Sequence, residues 1–193
     1  MTHASSGLLS MLPAGGAPGL RVQTGNDLAL LGDVYLSRRW AEVSAIPGWS
    51  DAQRRAFLLS QEQLQRSHYH THYPEADFLI VDYAGTAIGR LCVDQGASAL
   101  RIVDIALLAQ WQDRGIGSRL LHAVMQLADS QGLACNLSVE QGSRARGLYE
   151  RLGFQACGEA GLYTPMQRPA STHYPLLKDA MGFERPDDLP ADP

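Results

Sequence analysis

The chain predicts a mixed α/β domain of the α+β kind: a mostly antiparallel sheet of six to seven strands with helices on both faces. Three observations carry this fold class. Residues 28–72 are written in helical periods, with apolar positions recurring on one face. Residues 77–108 then hold three short strand-like runs separated only by turns, which is how an antiparallel meander reads. Residues 100–152 alternate strand, helix, strand and helix, so one parallel crossover sits at the centre of the sheet. The predicted order is β-α-α-β-β-β-α-β-α-β-β.

Residues 1–18 read as a flexible lead, and "GLRVQT" as a first short strand. "GND" signals a helix start with Asn26 or Asp27 at the cap, and Pro47-Gly48 stops that helix. A second helix begins at Ser50, keeps its period through Ala56, Leu59, Gln63 and Leu64, and ends at Pro74. "DFLIVDY", "AIGRLCVD" and "LRIVDIALL" form the meander, with Gly85 and "QGASA" as its turns. The next helix runs to Ser130 with Leu120, Leu121, Val124, Leu127 and Ala128 on one face, and Gly132 closes it. "LACNLSV" is a strand, "SRARGLYERLGF" a helix with Ala145, Leu148, Tyr149 and Leu152 along one stripe, and "FQACGE" with "GLYTPMQR" a hairpin. The domain therefore spans 19–168. A Pro-rich arm, 169–193, follows; its "YPLLKDAMGF" has the pattern of a short helix that packs in cis or against a second subunit, which would make a homodimer.

A formal net charge of −4 announces no basic surface for nucleic acid or an anionic membrane, and it suits an amine partner. Cys92, Cys135 and Cys157 are well separated, without a CxxC pair, and read as small buried hydrophobes in a reducing compartment. No run of about 18 apolar residues exists to span a membrane, and the N-terminus lacks the pattern of a signal peptide. A cytoplasmic protein is expected.

"WQDRGIGSRLL", residues 111–121, places Gly115 and Gly117 directly before an apolar helix and after a strand. Such junctions approach phosphates, because bare N–H groups point outward and the helix dipole favours an anion; they also serve as plain turns. A P-loop needs a Lys-Ser/Thr pair that is missing here, and a dinucleotide fingerprint needs a third glycine that is also missing. What remains, Gln112-x-x-Gly115-x-Gly117, resembles the acyl-CoA-binding motif of the GCN5-related N-acetyltransferase family. "ALLAQWQDRGIG" and "ARGLYERLGF" resemble two further segments of that family, and the element order matches its fold from about residue 20 to residue 166.

The resemblance implies an N-acetyltransferase that moves an acetyl group from acetyl-CoA directly to a primary amine of a small molecule or peptide. It implies that the amides of Asp113, Arg114, Gly115, Ile116, Gly117 and Ser118 line the pyrophosphate, that Gln112 shapes the loop, and that Arg114 either assists or stays solvated. It also implies that "LRIVDIALL" and "LACNLSV" splay apart so that the thioester points toward Ala106 and Leu107, with the Leu107 N–H on the acyl oxygen. Tyr149 occupies the position of the family's tyrosine near the sulfur and is the candidate general acid, although its helical stripe also reads as core. The family often places an Asn before this helix to touch the cofactor. Here Gly142 and Ser143 stand there, and Ser143 is the candidate substitute.

Asp104 interrupts an apolar strand, and a buried carboxylate needs a partner. Pairing Asp94 with Leu100 places Arg90 directly opposite Asp104. That pair is either a structural ion pair or a device that orients or deprotonates the amine. Glu42 is a second candidate base. His68, His70 and His72 cannot all converge from a helix end, so no metal site is expected. A non-catalytic acyl-CoA-binding or regulatory module is the alternative function, and a scaffold subunit dimerised by the arm is a third.

Overall fold

The computed structural model describes residues 4–159 and 161–171. A seven-stranded sheet forms its centre, in the order β1-β2-β3-β4-β5-β7-β6. Its strands are β1 (Gly19–Val22), β2 (Asp77–Tyr83), β3 (Thr86–Gln95), β4 (Ala99–Leu107), β5 (Ala134–Glu140), β6 (Gln155–Ala156) and β7 (Tyr163–Arg168). Every ladder is antiparallel except β4–β5, which are joined by the crossover helix α4 (Ile116–Ser130). The mixed, mostly antiparallel sheet expected from the sequence is the sheet observed.

Helices α2 (Leu28–Ser44) and α3 (Asp51–His72) pack on one another and cover one face of the sheet. Helix α4 covers the opposite face, as the two sides of β3 show: Leu91 and Val93 enter the main core with Leu120, Leu121 and Val124, while Arg90, one residue before Leu91, reaches Gln65 of α3. Helix α4 buries the predicted stripe, each fully buried leucine contributing about 1.5–3 kcal/mol. A short helix, α5 (Ala145–Arg151), delivers Tyr149 and then Phe154 to the same core.

The N-terminal lead is corrected in part. Residues Ala4–Met11 form helix α1, with Ala4 and Leu8 buried against α4 and the Ser5 amide donating to the Asp77 carboxylate at 2.6 Å. Eight residues are too few for a periodic signal, and their apolar side matters only because α4 offers a surface for it. Of the C-terminal arm, residues 169–171 are described, the Ser171 amide donating to Asp129 at 2.7 Å; the arm from residue 172 onward lies outside the described residues. Cys92 and Cys135 are buried as expected, whereas Cys157 is exposed.

The first strand ends at Val22, and Thr24 caps the turn that follows in a capping box with Asp27. Asp27 is itself the N-cap residue of α2, one of the two expected there, its side chain turned back to Thr24 and Arg21. Arg21 grips Asp27 at 2.6 and 2.9 Å. The Arg21 hydrogen bonds, then the Thr24 amide and hydroxyl, hold the Asp27 carboxyl well below the usual carboxylate range against the opposing effect of burial. Its contribution to stability is complete above the unfolded pKa of about 4 and is lost as the pH falls through the lower folded value. Asp27→Asn is therefore expected to cost stability near neutrality and progressively less in acid, which urea unfolding at about pH 7 and about pH 2.5 checks.

The β3–β4 register differs from the one expected and explains the shape of the site. It begins Gln95↔Leu100, Asp94↔Arg101, Val93↔Ile102 and continues Cys92↔Asp104, Leu91↔Ile105, Arg90↔Ala106. One step on β3 thus spans two on β4, and Val103 is the extra residue of a bulge. Arg90 and Asp104 are diagonal neighbours, not directly opposite. Without the bulge Asp104 would face α4; with it, Asp104 shares the face of Arg90.

Candidate active site

The parallel β4–β5 ladder holds only at Ala99–Arg101 with Ala134–Asn136, and it stops immediately before the bulge. Beyond it the strands part, as the family resemblance implied. Ala106 and Leu107, both buried, end β4 beside this gap. The Leu108 amide donates to Ile88 on β3 at 2.9 Å, so by alternation the Leu107 N–H and C=O face away from β3, toward the edge that β5 has left. Gln112 occupies that carbonyl, its Nε2 donating to Leu107 O at 2.9 Å. The Leu107 N–H is thereby presented to the gap.

Gly89 makes this edge possible. A Cβ there would lie 2.3 Å from Ala106 O and 2.7 Å from a Leu107 methyl. Sequence reading passed over it, because a glycine inside a strand carries no signal of what approaches it.

The loop after β4 is built to leave amides bare. Asp113 has φ +56° and Gly115 φ +74°, both left-handed, and Gly115 precedes α4 with no side-chain cap and no acidic residue in the first turn. Ile116, Gly117 and Ser118 are the first helical residues, whose N–H groups have no intrahelical acceptor. A Cβ on Gly115 or Gly117 would meet nothing within 4 Å, so the space beside both glycines is open. Bare amides, a positive helix end and open space fit a diphosphate. Arg114 is held over the Trp111 ring at 4.9 Å. Ser143 spends its hydroxyl locally, accepting from the Ala145 amide at 3.3 Å as α5 begins.

The gap also contains the polar groups. Tyr149 is buried in one cluster with Leu107 and Ile116, its ring edge-on to Phe154 at 6.0 Å. Its hydroxyl makes no hydrogen bond to the described residues, and that oxygen is not one of the buried atoms left without a partner, so it is reachable by solvent rather than sealed in the core. Burial, and after it the charge of Asp104, push the Tyr149 hydroxyl above the usual phenol range, with Arg38 acting in the opposite sense.

Asp104 is buried and held from both sides: Arg90 Nε at 2.5 Å and Arg38 Nη1 at 3.2 Å. Arg90 also donates to Gln65 at 2.5 Å and lies over the Tyr69 ring. Burial opposes the charge of Arg38, but Asp104 raises its pKa overall, helped by Tyr69 and Tyr149. Arg38, Gln65 and Tyr69 were not singled out in the sequence. The available signal was weak: Gln65 and Tyr69 lie four apart on the inner stripe of α3, as does Leu58 seven before Gln65.

Glu42 is exposed and paired to Arg39 at 3.1 Å. His68 and His72 stack at 3.9 Å on the end of α3 while His70 turns to Phe78, and no group of three metal-ligating side chains occurs among the described residues. Among them, too, no helix is long and apolar enough to cross a membrane.

The fold is that of solved acetyltransferases. The PaiA N-acetyltransferase of Thermoplasma acidophilum, crystallised with coenzyme A, superposes with a TM-score of 0.58 at 20% identity over 79% of this chain and 98% of that one. An acetyltransferase of Thermus thermophilus gives 0.57 at 18% over 79% and 97%, and a histone acetyltransferase HPA2-related protein of Corynebacterium glutamicum 0.57 at 19% over 81% and 98%. No curated protein matches the sequence. A profile of the acetyltransferase (GNAT) family matches residues 38–154, more than half of the chain, and the chain belongs to that family. The family uses acetyl-CoA.

Proposed function

We propose that this protein transfers an acetyl group from acetyl-CoA directly to a primary amine of a small molecule or peptide, in the cytoplasm. The observation that carries the reading is the convergence, at one opened strand edge, of a bare Leu107 N–H, the unpartnered Tyr149 hydroxyl and the uncapped start of α4. Bound acetyl-CoA supplies the activated thioester. Amides 115–118 hold the diphosphate, and the Leu107 N–H donates to the acyl oxygen where negative charge develops. As the C–N bond forms and the C–S bond breaks, Tyr149, protonated at neutral pH, donates its proton to the departing sulfur, and the proton lost from the nitrogen passes through solvent to restore the phenol.

Asp104 takes a positioning role in this scheme. Two guanidinium groups occupy its oxygens, which fixes Arg90 and Arg38 in place and leaves it poorly suited to remove a proton. A covalent route through Cys92 or Cys135 is disfavoured: burial pushes the Cys135 thiol up to about 11 and Cys92 above the usual thiol range, so neither is a thiolate at neutral pH.

Release of coenzyme A thiol from acetyl-CoA across a panel of primary amines tests the proposal. Amine-dependent release supports it; coenzyme binding with no release on any amine makes the protein a binding module instead. The diphosphate cradle has its own test. Gly117→Glu improves helix propensity and places a carboxylate at the positive helix end, so stability is expected to rise by about 1 kcal/mol. The same carboxylate repels the diphosphate, and coenzyme A affinity is expected to fall about 100-fold or more, measured by calorimetry. An anion site elsewhere would leave affinity unchanged.

A further inference from the structure

We propose that the acceptor amine carries a carboxylate close to its amino group, as an amino acid does, and that Arg38 binds that carboxylate. This rests on the acetyltransferase reading above and narrows it to a substrate class.

The placement comes from two consecutive residues of α2. Arg38 reaches Asp104 on β4 at 3.2 Å, and Arg39 reaches Glu140 on β5 at 3.1 Å. Helix α2 therefore lies across the divergence of the two strands, on the face opposite α4, where an acceptor can approach the gap. The three arginines gathered there differ in how fully they are used. Arg39 is committed to both Glu42 and Glu140. Arg90 is committed to Asp104 and Gln65, with its side chain only 8% exposed. Arg38 uses Nη1 alone; among the described residues its Nε and Nη2 have no partner, and its side chain is 38% exposed.

Charge gives the same answer. Arg38 and Arg90 share the single carboxylate of Asp104, whereas Arg39 faces two, Glu42 and Glu140, so the positive charge is least compensated at Arg38, the more exposed of the pair on Asp104. Asp104, which Arg38 holds, lies two residues before Ala106 on the strand that ends at the gap. A guanidinium with a free edge matches a carboxylate through two parallel N–H···O bonds. A diamine or polyamine would instead bring a second positive charge against it.

The test compares glycine, leucine, methionine and glutamate, each with its own carboxamide, and putrescine. Coenzyme A release is measured together with binding of each compound to the coenzyme A-loaded protein. The carboxamides have the less basic amines, so more of their amine is neutral at pH 7.5 (about one unit below the amino acids) and any preference for the acid has to come from the site. The acid is expected to be favoured over its carboxamide about tenfold or more for at least one side chain, a charge-assisted bidentate contact being large enough to give this. Arg38→Gln is expected to collapse that preference, and Arg38→Lys, which keeps charge without the fork, to retain part of it. Equal or better use of the carboxamide or putrescine, or a preference that survives Arg38→Gln, overturns the proposal. Acid-selective binding without thiol release upholds the site and counts against the catalytic reading alone.

Discussion

Tyr149→Phe is expected to lower kcat about 100-fold, the usual worth of a positioned proton donor, with coenzyme A affinity and stability close to wild type. The ring stays in its cluster with Leu107, Ile116 and Phe154, so only the hydroxyl is lost. Because that hydroxyl makes no hydrogen bond to the described residues, its removal leaves none of their buried groups unpaired. Its pKa is raised by burial and by Asp104, so it remains a proton donor through neutral and mildly alkaline pH. Activity that depends on it is expected to decline only above about pH 10, the ordinary phenol value, and Tyr149→Phe removes that alkaline limb. Full activity in the phenylalanine variant would assign the proton to another group.

Asp104→Ala is expected to have the largest effect on stability. Arg90, 6% exposed, would lose the carboxylate that neutralises it and keep only neutral partners, Gln65 and the Tyr69 ring. Breaking a buried pair from one side costs about 3–5 kcal/mol, visible as a shifted urea midpoint at unchanged slope. Replacing both partners with apolar residues, Arg90→Met with Asp104→Leu, is expected to recover most of that loss while leaving Arg38 without its anchor. The double variant thus separates stability from catalysis: a folded protein with poor turnover places Asp104 in positioning, and a fully active one reduces it to holding the sheet.

Local periodicity made most of the fold legible. The helical stripe at Leu120, Leu121, Val124, Leu127 and Ala128 and the three-strand meander are strong signals because each buries one face against the same core. The glycine turn before α4 was equally legible, since Gly115 takes a left-handed φ of +74° that favours glycine. The features that remained hidden depend on partners distant in the chain. Helix α1 needs α4 to cover it, and eight residues alone do not nucleate a helix. The bulge at Val103 shifts the register by one residue, which no composition of β4 encodes, yet it decides the face on which Asp104 lies. The expected Arg90–Asp104 contact does form, but as a diagonal pair in a different register. Arg38 lies 66 positions from Asp104, and only the docking of α2 brings the two together.

The central claim is that bare amides at the start of α4 hold the diphosphate of coenzyme A, and an amide-resolved nuclear magnetic resonance titration with coenzyme A reads it directly. The N–H signals of Gly115, Ile116, Gly117 and Ser118 are predicted to show the largest downfield shifts at saturation, as new acceptors reach them. Saturating binding that leaves those four signals in place while others move would contradict the account.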